Sequence, residues 1–280
     1  WLQKRPPLWL RIQSGDPDAV LLELRTAGLD PVPHPRIPAA IRVQTGPVNL
    51  YTLPAYQEGR VEVQDLASQL VGMACAPAPG ERWWDACAGG GGKSLHLARL
   101  MDGKGSVTAT DIHDRKLEEL RRRARRGGFQ NIQAKPWDGK PVRSRQATFA
   151  GVLVDAPCTC SGTWRRNPAM RWTSRPGEAG EMAGLQRGIL QSAASGVRPG
   201  GVLVYATCSF FRRENEDVVG EFLAANPAFQ VEGFANPLNG APTDGRLYAW
   251  PWDGDCDAMF IARMRRNDLP ADRSRTPTAG

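Results

Sequence analysis

Two cysteines stand where a chain could use them as nucleophiles. Cys158 follows the apolar run Gly151-Val152-Leu153-Val154-Asp155-Ala156-Pro157, and Cys208 follows Gly201-Val202-Leu203-Val204-Tyr205-Ala206-Thr207. Each run reads as a buried strand, so each thiol falls just past a strand's C-terminal end, the edge at which open α/β sheets bind ligands. A thiolate there can attack an electron-poor carbon and form a covalent intermediate. An arbitrary cysteine is more often small apolar filler, so the pair needs a partner feature to be read as chemistry. A metal is not expected: Cys158-Thr159-Cys160 has no second cysteine or histidine pair at ligand spacing, and His34, His96 and His113 are scattered. His96 reads as a residue on a helix face.

The partner feature lies upstream. Cys87-Ala88-Gly89-Gly90-Gly91-Gly92-Lys93 joins a strand pattern to a helix pattern, where glycines let backbone N–H groups approach a nucleotide-like ligand at a helix N-terminus. A phosphate loop of the Gly-x4-Gly-Lys-Ser type would need glycine at position 87, which is Cys87. Asp111 closes the next strand, where nucleotide-binding sheets place an acid for the ribose hydroxyls. Asp138 follows the third strand and is placed to meet an adenine edge, although a lone acid there is as often a loop or cap residue.

The residues at the fourth strand's end then narrow the acceptor. Enzymes that methylate exocyclic nitrogens carry Asp or Asn before Pro-Pro and an aromatic there; this chain has Asp155-Ala156-Pro157-Cys158. Carbon 5 of cytosine is a poor nucleophile, and adding a thiolate to C6 pushes electron density onto it, a chemistry that requires cysteine. Asp155 is placed to stabilise the adduct near N3, as a protonated acid or through a bridging contact, an assistance commonly worth about 10² to 10⁴ in rate. Arg165, Arg166, Asn167 and Arg171, with Trp164 and Trp172 interleaved, suit phosphates and a splayed-out base. The denser basic run from Arg115 to Arg126 has helical spacing and reads as a solvated face.

These residues need a particular scaffold. Strand patterns alternate with helices from Leu66 onward, which predicts a mostly parallel sheet covered on both faces, and Arg246 to Arg266 suggests an antiparallel edge hairpin. Residues 1–65 read as a small α+β module: a strand at Trp9–Ile12, a helix from Asp16 to Ala27, a proline-rich loop at 30–38 and a strand near Ile41–Val43. The sheet domain spans 66–266, and 267–280 reads as a disordered polar tail. The chain of 280 residues carries net charge +7, which suits a polyanion. Six cysteines without a signal peptide or a long apolar run predict reduced thiols, a cytoplasmic location and no membrane.

Taken together, Arg5–Gln13, Glu62–Leu70, Asp85–Ser94, Asp155–Trp172 and Pro199–Glu216 resemble the Sun family of RNA cytosine-5 methyltransferases, RsmB-like bacterial enzymes among them, over residues 1 to about 265. The resemblance implies a Rossmann-like class I methyltransferase sheet, S-adenosylmethionine as cofactor, and RNA as partner, with rRNA first and tRNA as the alternative. It implies that Cys208 attacks C6 and Cys158 assists product release. It assigns Cys87 to Lys93, Asp111, Asp138 and Asp155 to the cofactor, and makes Lys4, Arg5 and Arg11 available to RNA. A monomer is expected. Two departures stand out. Gly89 and Gly90 replace the family's usual Ala-Pro, raising the cost of ordering the loop by about 1 kcal/mol, and Ala169 replaces a common Asp. The first motivates a competing reading, an RNA-binding scaffold with weakened catalysis; a small-molecule or protein methyltransferase on the same fold is disfavoured by the paired cysteines.

Overall fold

A small antiparallel sheet precedes a large, mostly parallel one. The computed structural model describes residues 1–44, 48–142 and 145–267; the expected tail therefore lies outside the described residues from 268 on. β1 (Leu8–Ile12), α1 (Pro17–Thr26), β2 (Asp30–His34), β3 (Ile37–Gln44), α2 (Pro54–Gln57) and β4 (Val61–Val63) form the first unit, with antiparallel strand order β2-β3-β1-β4. Asp16 caps α1 by accepting the Asp18 N–H, and Pro17 opens it, as the sequence predicts. The proline-rich stretch is not a loop. Pro31 and Pro33 lie in β2, which is an edge strand, and there a missing N–H need not break a ladder.

The large sheet begins after α3 (Leu66–Cys75). It takes β5 (Arg82–Asp85), β6 (Ser106–Asp111), β7 (Ile132–Pro136), β8 (Phe149–Asp155), β9 (Val197–Thr207), β10 (Phe229–Val231), β11 (Arg246–Ala249) and β12 (Met259–Arg266). The order is β10-β12-β9-β8-β5-β6-β7, with β11 against β12. Pairing is parallel from β9 to β7 and antiparallel around β12. This is the Rossmann-like sheet with an antiparallel edge. Because β6 and β8 flank β5 on opposite sides, the chain reverses direction of travel at β5, and the crevice for a ligand opens outside the strand ends there.

The helices are α4 (Gly92–Leu100), α5 (Asp114–Arg126), α6 (Met170–Thr173), α7 (Glu178–Ala194), α8 (Glu216–Ala225) and α9 (Pro251–Gly254). Alternation in β5 decides the layering: Trp83 faces the core under α3 and α4, and Trp84 faces the core under α7 and α8. Gly151 on β8 exists for Trp83, since a Cβ would stand 2.3 Å from its ring. His96 is buried against Gly72 rather than displayed on a face, and burial, then Arg11, pushes its pKa well below the ordinary value. The basic α5 turns Leu117, Leu120 and Ala124 inward. No helix among the described residues is long and apolar enough to cross a membrane.

Arg11 fastens the small unit to the large one. It is buried, donates to Gln64 and Gln13, and reaches the Gly92 carbonyl at 3.4 Å. It is therefore not available to RNA, contrary to the sequence reading. Glu62 of β4 holds Arg123 and Arg126 of α5 across the same seam.

Candidate active site

The glycine loop, the ends of β6 and β8, the loop after β7 and one face of α7 enclose a cavity of about 920 Å³, the size of a small-molecule site. Cys87, Ala88, Gly89, Gly90, Asp111, Asp138 and Asp155 all line it. Gly91 instead packs on Leu120 with φ +87°, where a Cβ would come within 2.5 Å. Gly91 is the N-cap of α4 and Gly92 its first residue, and Lys93 pairs with Asp155 at 2.7 Å. Asp111 accepts the N–H groups of Gly89 and His113, each at 2.9 Å, which orients its carboxylate at the cavity beside exposed Ile112. Across the cavity, a Cβ on Gly188 would meet nothing within 4 Å. An acid for a diol, an apolar wall and an open glycine face fit a nucleoside cofactor. Arg123 donates to the Gly90 carbonyl at 2.8 Å, a clamp on the loop position where the family's usual proline is absent.

Asp138 is exposed, and a hydrogen bond from Lys140 lowers its pKa. Asp85, behind the loop, is fully buried; one oxygen accepts from Ser94 at 2.6 Å and the other has no partner among the described residues. Burial, opposed by the Ser94 bond, pushes its pKa up to about 7 from 3.8. The folded state thus holds this proton more tightly than the unfolded chain does. Its contribution to stability is complete below about pH 4 and is lost as pH rises toward 7, by up to about 4 kcal/mol. Asp85→Asn should accordingly gain thermal midpoint on wild type between pH 4 and 7, and parallel pH curves for the two proteins would refute the assignment.

The two strand-end cysteines meet. Their sulfurs lie 3.4 Å apart, both half-buried, because β8 and β9 pair in parallel with Asp155 opposite Ala206. Cys160 joins them: all three Sγ atoms fall within 4.8 Å of one another. Hydrogen bonding from Cys158, then from Cys208, lowers the Cys160 pKa. At Cys208 the Cys158 bond pulls the pKa down, but the Cys160 interaction and burial outweigh it, and the thiol is raised.

The device that joins the two loops was not visible in the sequence. Glu214, in a short turn at Arg212–Glu214, is buried. One oxygen accepts the Thr159 N–H at 2.9 Å and the Gln186 amide at 3.0 Å; the other accepts the Thr159 hydroxyl at 2.6 Å and the Ser209 hydroxyl. Thr159 sits between Cys158 and Cys160, and Ser209 follows Cys208, so one carboxylate fixes both cysteine-bearing loops. The only signal was an acid six residues past a cysteine, too common to act on.

The basic loop divides. Arg165 is buried, paired with Asp255 at 2.8 Å and donating to the carbonyls of Lys4, Arg5 and Cys256; it ties the N-terminal segment down and cannot meet RNA. Arg166 is paired with Asp65 and Asp257, each at 3.1 Å. Asn167 and Arg171 are exposed, Arg171 over the Trp164 ring, and Trp172 is 86% exposed.

A family model described as 16S rRNA methyltransferase RsmB/F matches residues 72–265, more than two-thirds of the chain. The chain belongs to that family. The ribosomal RNA small subunit methyltransferase B of Klebsiella pneumoniae is 35% identical over 270 residues, 94% of this chain and 61% of that protein. A probable ribosomal RNA small subunit methyltransferase B of Bacillus subtilis is 37% identical over 218 residues, 75% of this chain and 49% of that one. The chain thus spans about half to three-fifths of these family members. The crystal structure of PH0851 superposes with TM-score 0.89 at 34% identity, covering 95% of this chain and 61% of that one.

Proposed function

We propose that the chain transfers a methyl group from S-adenosylmethionine to C5 of a cytosine in RNA, with rRNA as substrate, through a covalent bond from Cys208 to C6. The observation that carries the reading is the meeting of Cys208 and Cys158 at adjacent strand ends, beside a nucleoside-sized cavity lined by the glycine loop. Membership of the RsmB/F family supports the substrate class.

Bound against Gly89, Asp111 and α7, the cofactor supplies an electrophilic methyl group. The chain's own residues do the rest. As Sγ of Cys208 adds to C6 its proton passes to N3 of the ring, and C5 becomes nucleophilic. Asp155, ion-paired with Lys93, presents acceptor oxygens to the cytosine's amino group or to a protonated N3. Once C5 carries the methyl group, a solvent base takes its remaining proton, the C5–C6 double bond re-forms as the C6–Sγ bond breaks, N3 returns its proton to the leaving Cys208 sulfur, and Cys158 assists that release. Asn167, Arg171 and Trp172 offer an exposed surface for the strand, and residues 1–65 act as an RNA-contacting module. Hydrogen bonds at the Gly89 N–H and the Gly90 carbonyl support the catalytic reading over a weakened scaffold.

With rRNA transcripts and cofactor, Cys158→Ala should accumulate a protein–RNA adduct that survives denaturing electrophoresis, whereas Cys208→Ala and the double variant should form none. Adduct from Cys208→Ala alone would reverse the two roles.

A further inference from the structure

Cys160 has no task in the mechanism above, yet it completes a cluster. Along the sequence Cys158 and Cys160 are only a local pair; the fold adds Cys208 from fifty positions further on. Three sulfurs within 4.8 Å of one another are close to what one soft ion asks: zinc–thiolate bonds of about 2.3 Å put two ligands on a tetrahedral ion about 3.8 Å apart. Cys158 and Cys208, at 3.4 Å, need only a small opening.

We propose that Cys158, Cys160 and Cys208 form a three-thiolate site for a thiophilic divalent cation such as zinc(II). The donor set selects the class of ion, because thiolates prefer soft and borderline cations over magnesium or calcium. Access is open, since all three cysteines are half-buried rather than sealed. The frame is rigid, since Glu214 fixes Thr159 and Ser209 beside the ligands. Cys160 adopts φ +55°, a left-handed backbone that a non-glycine residue holds at a cost, and its Sγ folds back to 3.4 Å from the Cys158 carbonyl. Binding releases one proton from each thiol to solvent, three sulfur–metal bonds form, and water takes the fourth position. On the reading proposed above, an ion held here removes Cys208 from attack, so metal occupancy and methyl transfer exclude one another.

The test uses the metal-free protein reduced with a phosphine, without RNA or cofactor. Cadmium(II) titration should saturate at one equivalent with the charge-transfer absorbance of three thiolates, and zinc(II) should compete with a chromogenic chelator. Cys160→Ala and Cys160→Ser should each lose about a third of the cadmium band. Zinc affinity should drop by at least about tenfold, since even outer-shell losses cost that much. A wild-type band worth two thiolates, or Cys160 variants that bind zinc as tightly as wild type, overturns the site. Absence of methyl transfer by the metal-free protein would count against the proposed function and leave the titration unaffected.

Discussion

Cys208→Ala should lower methyl transfer to rRNA by on the order of 10⁴-fold or more, the scale seen when a covalent enzyme loses its nucleophile, while leaving S-adenosylmethionine affinity within about twofold. The split follows from placement. Cys208 does not line the cofactor cavity, so its loss removes no contact to the cofactor, but without a bond to C6 the ring carbon C5 has no electron density to offer. Incorporation of labelled methyl groups into rRNA measures the first quantity and calorimetry the second. Residual activity above about a tenth of wild type would end the covalent mechanism through Cys208.

Glu214→Ala should be the most damaging change outside the two thiols. Four donors converge on this one buried carboxylate, and truncation strands them in a site where each unsatisfied group costs about 1 to 3 kcal/mol. A net loss of about 3 to 5 kcal/mol in unfolding free energy is expected, read from urea midpoints. The cysteine-bearing loops also lose their common anchor, and misplacement by about 1 Å can cost about 10²-fold in rate. Glu214→Gln separates the two effects. It keeps one carbonyl oxygen for the Thr159 N–H and the Gln186 amide, so it should recover most of the stability while kcat stays depressed and KM for the cofactor is unchanged. Equal recovery of both would make Glu214 merely structural.

Part of this protein was legible as a string. Uninterrupted apolar runs before Asp155 and Thr207 read as strands buried on both faces, which pointed to the parallel sheet and therefore to the edge on which both cysteines lie. Glycines between a strand and a helix similarly announced the cofactor crevice. What the string could not supply was burial and partnership between distant segments. Nothing local distinguishes Arg165, sealed against Asp255 and the carbonyls of Lys4 and Arg5, from exposed Arg171; the difference is made by chain some ninety to a hundred and sixty positions away. Glycines at 180, 184 and 188 disguised α7, which is helical because Ala183, Ile189, Leu190 and Ala193 pack under the sheet and tertiary burial outweighs weak propensity. Patterning is set by which face each residue presents, and a sequence carries that directly. The pairing of Lys93 with Asp155 depends on β5 lying beside β8, and the Glu214 anchor and the convergence of three thiols on the parallel register of β8 and β9, which exist only once the sheet has closed.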